Sequence, residues 1–154
     1  MKNRILIAAI FCLISLLSFA QNESKRLTQF NLEKKVAIQG YDPVAYFKQG
    51  KAVKGKKELG SIYEGVNYYF SSVENKDAFA KSPMTYEPQY GGWCAFAMGD
   101  SGEKVEIDPA TFKIVEGKLY LFYNAYFNNT LKSWNKDQSN LKAKADTNWK
   151  KFFK

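Results

Sequence analysis

YEPQYGGWCAFAMGDSG, Tyr86 to Gly102, concentrates more unusual chemistry than any other stretch of this 154-residue sequence. Gly91 and Gly92 stand between Tyr90 and Trp93, Cys94 follows at once, and Phe96 and Met98 alternate beyond it. Paired glycines let the backbone take positive φ or approach another surface closely, and aromatics crowded at a turn mark a packed corner or a pocket wall. The reading of WCAFAM decides the fold. Trp93, Ala95 and Ala97 alternate with Cys94, Phe96 and Met98, the pattern of a strand buried on both faces, and a short helix is the other reading of so brief an apolar run.

Upstream, SIYEGVNYYF predicts a hairpin with its turn at Glu64-Gly65, Tyr68 and Phe70 on one face and Tyr69 on the other. Ser71 with Glu74 three residues on is a capping-box pattern, opening a helix through Val73, Ala78 and Phe79 that stops at Ser82-Pro83. Earlier still, Val36 and Ile38 alternate like a short strand and Gly40 breaks it. Asp42-Pro43 then supplies an N-cap and a first-position proline for a helical turn over Val44 to Phe47. Lys51 to Gly60 reads as a basic loop with one exposed strand.

Downstream, Asp108-Pro109 repeats the capping device, Glu116-Gly117 predicts a second hairpin turn, and KLYLFY looks covered on both faces. Beyond Asn124 the period becomes helical, with Leu131 and Trp134 paired and Leu141, Ala145, Trp149 and Phe152 forming a stripe between lysines. The expected architecture is one α+β domain. It has a small antiparallel sheet built from the two hairpins, a short central helix, and C-terminal amphipathic helices packed on the sheet.

Met1 to Ala20 reads as a secretory signal: Lys2 and Arg4, the apolar run Ile5 to Leu17, and a small-x-small site at Ser18-Phe19-Ala20. Residues 21–30 read as a polar tether and 31–154 as the folded domain. The expected location is periplasmic or secreted, with no stable membrane insertion after cleavage. Losing Lys2 and Arg4 lowers the formal charge from +8 to +6, and the lysines are spread along the chain as on a solvated surface, which argues against nucleic acid as a partner. Loss of Cys12 leaves Cys94 without an intramolecular disulfide partner. Burial, metal or ligand engagement, and an intermolecular bridge are the ways to protect such a thiol in an oxidising compartment.

The sequence contains no histidine, which excludes Ser-His and Cys-His nucleophilic catalysis and removes the near-neutral general base. Cys94 and Met98, four apart, with Met84 as a third sulfur, form the one soft donor set, and thiolate with thioether selects Cu(I). Tyr41, Tyr46, Tyr63, Tyr86 and Tyr90 cluster near glycines and prolines, where phenols over an aromatic floor suit a flat or sugar-like ligand.

Three segments carry a family resemblance: GYDPVAYFKQGKAVKG (Gly40 to Gly55), YEGVNYYFSSVENKDAFAKSPMTYEPQYGGWCAFAM (Tyr63 to Met98) and DPATFKIVEGKLYLFYN (Asp108 to Asn124). Together they resemble the exported, stand-alone members of the YHS-domain family. The resemblance implies a small module similar to the cysteine-bearing metal-binding units attached to copper-transporting ATPases, with a sensory or accessory role. In those relatives a C-x3-C pair occupies the strand-to-helix corner, and here the corresponding positions are Ser71 and Asn75. The expectation is a non-enzymatic binding or accessory module for an unidentified small ligand or protein partner, contacted through Asp42, Tyr86, Tyr90 and Cys94. The alternative is a copper carrier using Cys94 with Met98 and Met84. A thiol-dependent redox enzyme would lack a second, resolving cysteine.

Overall fold

Alternating burial along VNYYF, with Val66, Tyr68 and Phe70 inward and Asn67 and Tyr69 half-buried, marks β4 (Val66–Phe70), an inner strand of the first sheet. A computed structural model describes residues 21–153 of the chain, and the expected signal segment Met1–Ala20 lies outside them. β4 pairs antiparallel with β3 (Lys56–Tyr63) through a Glu64-Gly65 turn in which both residues have positive φ, as a two-residue hairpin turn matching strand twist requires. On its other edge β4 runs parallel to β2 (Val36–Ala37), which pairs with β1 (Leu32–Glu33), giving the order β1-β2-β4-β3.

The second hairpin joins β5 (Asp108–Val115) to β6 (Lys118–Phe122) through Glu116-Gly117, again both at positive φ. The α+β class holds, but the two hairpins lie in separate sheets rather than one. The reason lies in the opening stretch: Pro88 bridges Leu119 and Cys94 bridges Leu121, both in parallel sense, so this segment occupies the β6 edge. β6 is buried on both sides. Leu119 and Leu121 enter a core with Val44, Tyr46, Val66, Tyr68, Phe70 and Phe79, while Tyr120 and Phe122 enter another with Tyr90, Met98, Trp134 and Ala145.

Helices punctuate the sheets where local chemistry dictates. Asp42 caps α2 (Pro43–Lys48) by accepting from the Val44 and Ala45 amides, with Pro43 at the first position. α3 (Val73–Lys81) begins one residue later than expected. Ser72, not Ser71, is the N-cap and accepts from Asn75 N, while hydrogen bonds from its own amide and from Ser72 hold the Glu74 carboxyl below the usual range. A further turn, α4 (Pro83–Tyr86), follows Ser82. At the C-terminal end, α6 (Thr130–Trp134) and α7 (Gln138–Lys150) bury Trp134, Leu141 and Ala145 as the helical period requires.

Four expectations are corrected. The supposed tether is helical over residues 21–29, here α1, because its Arg26 is 7% exposed and docks against the domain. WCAFAM is not a strand: the helix α5 spans Ala95–Asp100, with Cys94 at its N-cap position. Asp108 accepts from Ala110 N and from Thr111 Oγ1 as a capping residue would, yet the chain continues as β5 with a register shift instead of a helix. After β6 a small hairpin, β7 (Asn124–Ala125) with β8 (Asn128–Asn129), precedes the first C-terminal helix and carries Tyr126 and Phe127 at its exposed tip.

α5 packs on α7 at unusually close range because Gly99 has no side chain. A Cβ there would lie 2.4 Å from the Leu141 carbonyl oxygen and 3.0 Å from its carbon, so backbone rather than a movable side chain blocks it. Gly99→Ala is expected to lower unfolding free energy by about 2 kcal/mol, as overpacking of a fixed contact does. Urea unfolding checks this, and an unchanged midpoint would contradict the close crossing.

Candidate functional site at the Tyr90 glycine turn

The four residues expected to form one ligand site lie in four different environments. Asp42 is fully buried, and both carboxylate oxygens are saturated. Oδ1 accepts from Val44 N at 2.9 Å and Ala45 N at 3.2 Å; Oδ2 accepts from Ser71 N at 2.8 Å, Ser71 Oγ at 2.6 Å and Asn75 Nδ2 at 2.7 Å. A buried carboxylate requires such compensation, and this one ties the start of α2 to the end of β4 and the first turn of α3. Asp42 is therefore a structural clamp rather than a ligand contact. Ser71 and Asn75, the positions set against the family's cysteine pair, are the other half of that clamp.

Cys94 is also fully buried. Its Sγ lies 3.4 Å from Thr130 Oγ1 and accepts from Tyr123 N at 3.4 Å. Thr130 Oγ1 donates its one proton to the Tyr123 carbonyl at 2.9 Å, so the thiol must be the donor toward Thr130. The result is a closed ring in which thiol, hydroxyl and both backbone groups of Tyr123 satisfy one another.

This arrangement does not fit a soft metal. Met98 lies one turn along α5 but packs in the opposite core, and Met84 is 79% exposed on the rim of a groove that neither of the other two sulfurs lines. At the family's expected corner the groups are a hydroxyl and an amide, hard donors already committed to Asp42. The copper assignment to Cys94, Met98 and Met84 is thus corrected: the three sulfurs do not converge.

Tyr86 is partly exposed, whereas Tyr90 is buried and only 3% accessible, forming part of a groove wall. Tyr86 is half-buried with its ring edge-on to Phe47 at 5.3 Å. Tyr90, Gly91 and Gly92 adopt φ values of 55°, 59° and 86°, three consecutive left-handed residues whose cost the glycine pair reduces. The turn exposes a bare Cα at Gly91, against which Phe30 and Trp149 pack; a Cβ would come within 2.7 Å of Phe30 Cδ1 and 2.9 Å of Trp149 Cη2. The Tyr90 hydroxyl donates to Asp146 Oδ1 at 2.9 Å.

Around this turn lies a groove of about 450 Å³. Phe30, Met84, Tyr90 and Trp149 give it an apolar and aromatic lining, and Glu87, Asp146, Lys118 and Lys150 contribute two charges of each sign. Tyr90 is the one member of the expected site that lines it. Glu87 also reaches inward. Arg26 of α1 forms an ion pair with it, the Tyr68 hydroxyl donates to it, and Arg26 Cζ stands 4.4 Å over the Phe30 ring. Arg26 Nε is 3.3 Å from Glu64 Oε2, close enough for an ion pair though not aligned as a hydrogen bond. The sequence reading missed Phe30, Trp149, Asp146 and Arg26 as site residues. The stripe containing Trp149 was visible, but its approach to Gly91 depends on tertiary packing.

Residues 44–90 match the family model described as the YHS domain, a span that holds the Ser71–Asn75 corner and ends at Tyr90, before Cys94. No curated protein and no solved structure matches the chain. Among the described residues no helix is long and apolar enough to cross a membrane.

Three outcomes follow from this geometry. Asp42→Ala should reduce stability by about 3 kcal/mol by orphaning several buried donors at once, whereas Cys94→Ser, which can keep the hydrogen-bonded ring, should stay within about 1 kcal/mol of the parent. Cys94 should resist a thiol reagent until the protein is denatured; rapid native labelling would contradict its burial. Tyr46, Tyr68 and Tyr90 have phenol pKa values raised by burial first, reinforced by Glu87 at Tyr68 and by Asp146 at Tyr90, and Tyr120 is pushed up to about 12. Below about pH 10 these phenols are neutral in both states, and above it the unfolded chain releases protons that the fold retains, so stability should fall as pH rises from about 10 toward 12. Absorbance titration near 295 nm, with denaturant midpoints across that window, checks the sign.

Proposed function

We propose that this YHS-domain chain is a non-enzymatic, exported binding or accessory module that receives a small ligand in the groove at Tyr90 and Gly91. One observation carries the reading. The backbone holds three left-handed residues in succession and leaves a bare Cα, bringing Phe30 and Trp149 together beside paired charges in a groove of ligand size. Such a lining suits a flat or sugar-like ligand, stacked on the Trp149 ring and hydrogen-bonded through Asp146, Lys118 or Lys150.

The distribution of reactive groups supports a binding role. The chain has no histidine, and its buried thiol is held in a closed hydrogen-bonded ring without a base beside it. Asp42 likewise has all its acceptor capacity facing internal donors. Export to the periplasm or medium is supported by the charged start, apolar run and small-residue cleavage pattern of Met1 to Ala20.

A fragment panel of flat aromatic compounds and monosaccharides, screened by NMR, tests the groove. The expected result is a set of hits that shift the Trp149 indole and Tyr90 backbone resonances, leave Trp134 unmoved, and weaken on Trp149→Ala. Because that substitution removes packing over Gly91, Lys118→Ala with Lys150→Ala provides a surface variant expected to weaken polar hits at unchanged thermal stability. A panel whose hits all map elsewhere would overturn the assignment.

A further inference from the structure

A second cavity, of about 540 Å³, opens where the β1–β2 turn and the Ile38–Gly40 turn meet the start of β3 and the outer face of β4. Its floor is set by strand register: Tyr69 lies on the face of β4 opposite the buried Tyr68 and Phe70. Three glycines lie against Tyr69, Gly40 and Gly60 beside its ring and Gly55 against its backbone. A Cβ at Gly40 would come 3.3 Å from Tyr69 Cδ2, one at Gly60 would come 3.3 Å from Cδ1, and one at Gly55 would come 2.5 Å from the Tyr69 carbonyl. The cavity wall is therefore bare backbone at Gly40 and Gly55, and the ring is held closely.

The backbone there is also strained. Ile38, Gln39 and Gly40 all have positive φ, at 51°, 50° and 78°, and a β-branched residue in that region is a genuine outlier. Such conformations persist where surrounding structure over-determines them, and they cluster at ligand sites and switches. Here the turn is held by Gly55 N donating to Gly40 O at 2.9 Å and by the Gln39 amide donating to Ile107 O at 3.2 Å.

The charge of the cavity is one-sided. Lys34, Lys54 and Lys57 line it against a single carboxylate, Glu33. Lys54 donates to the Gln39 carbonyl and lies 4.7 Å over the Tyr41 ring, which fixes its ammonium in place. Among the described residues, the ammonium groups of Lys34 and Lys57, the Asn67 side-chain amide and the Tyr69 hydroxyl have no hydrogen bond or ion pair within the chain. Three ammonium groups against one carboxylate, with further unpaired donors round one concavity above an aromatic floor, describe a receptor for negative charge attached to an apolar body.

We propose that this cavity binds a small organic anion. Its carboxylate, sulfate or phosphate group would be held by Lys34, Lys57 and Asn67, and its flat or apolar body would lie on Tyr69. The site is independent of the Tyr90 groove: the two cavities share no lining residue.

The test is an NMR titration of the full chain with phenyl phosphate and phenylacetate, and with phenol as the uncharged control. Both anions are expected to give saturable shifts at Asn67 and Tyr69, with dissociation constants in the millimolar range or below, and phenol is not. Lys34→Gln combined with Lys57→Gln should raise those constants about tenfold at an unchanged thermal midpoint, since both side chains are exposed. Tyr69→Leu should weaken the aryl anions while leaving inorganic phosphate, a weaker ligand throughout, unaffected. Equal binding of phenol, indifference to the double lysine variant, or shifts confined to the Trp149 groove would each overturn the proposal.

Discussion

Two-sided burial of β6 is the constraint on which the rest of the structure depends. Leu119 and Leu121 face one core while Tyr120 and Phe122 face the other, and all four are essentially inaccessible. A strand in that position must have its backbone satisfied along both edges, since an unpaired buried amide or carbonyl costs as much as a lost hydrogen bond. β5 covers one edge and the Pro88–Cys94 segment covers the other. The Tyr90–Gly92 turn arises inside that edge segment. The chain must run beside β6, turn sharply, and then enter α5 against α7, which is why three left-handed residues and the bare Cα of Gly99 occur within ten positions of one another.

Burying so much of the chain leaves several polar groups far from water, and the carboxylates and thiol among them find internal partners, although Trp134 Nε1 does not. Asp42 is met by donors from three elements, Cys94 closes a ring with Thr130 and Tyr123, and Glu87 is shared by Arg26 and Tyr68. These are also the groups whose identity suggests reactivity. Their satisfaction moves them from the chemistry of the protein to its architecture, because a saturated carboxylate or a hydrogen-bonded buried thiol has no free valence for a ligand. Breaking the Arg26–Glu87 pair would strand a charge in the interior, so α1 is attached to the domain by more than apolar contact. What remains available for recognition are side chains at the rims of the two cavities.

The parts of this fold that were legible in the sequence are those specified by neighbours in the chain. Asp42-Pro43 capped a helix as read, Glu64-Gly65 and Glu116-Gly117 made hairpin turns, and the Leu141, Ala145 and Trp149 stripe packed as a helix. The failures share a different cause. WCAFAM is too short for its period to choose between strand and helix, and the choice is made by Gly99 meeting the Leu141 backbone from forty-two positions away. Residues 21–29 look like solvent-exposed polar chain because an arginine gives no sequence sign that its partners will be Glu87 and Glu64. Asp108-Pro109 shows the limit of local rules most directly. The side-chain hydrogen bonds of a cap formed, but pairing with β6 carried the backbone into a strand.

The candidate site was legible in the same partial way. The glycine pair and Tyr90 marked the turn correctly, whereas Asp42 and Cys94 were grouped with them on chemical character, which does not encode distance. Asp42 has its own logic: the serine and asparagine at the strand-to-helix corner are suited to donate to a carboxylate, as two thiolates would not be. The corner is held by a fixed anion belonging to the chain itself. The Asp42 cluster ties α2, β4 and α3 together at a corner where Asn75 is buried and Ser71 half-buried. Recognition must then depend on the concave surfaces next to these ties, where the glycines bring backbone and aromatic rings into contact without intervening side chains.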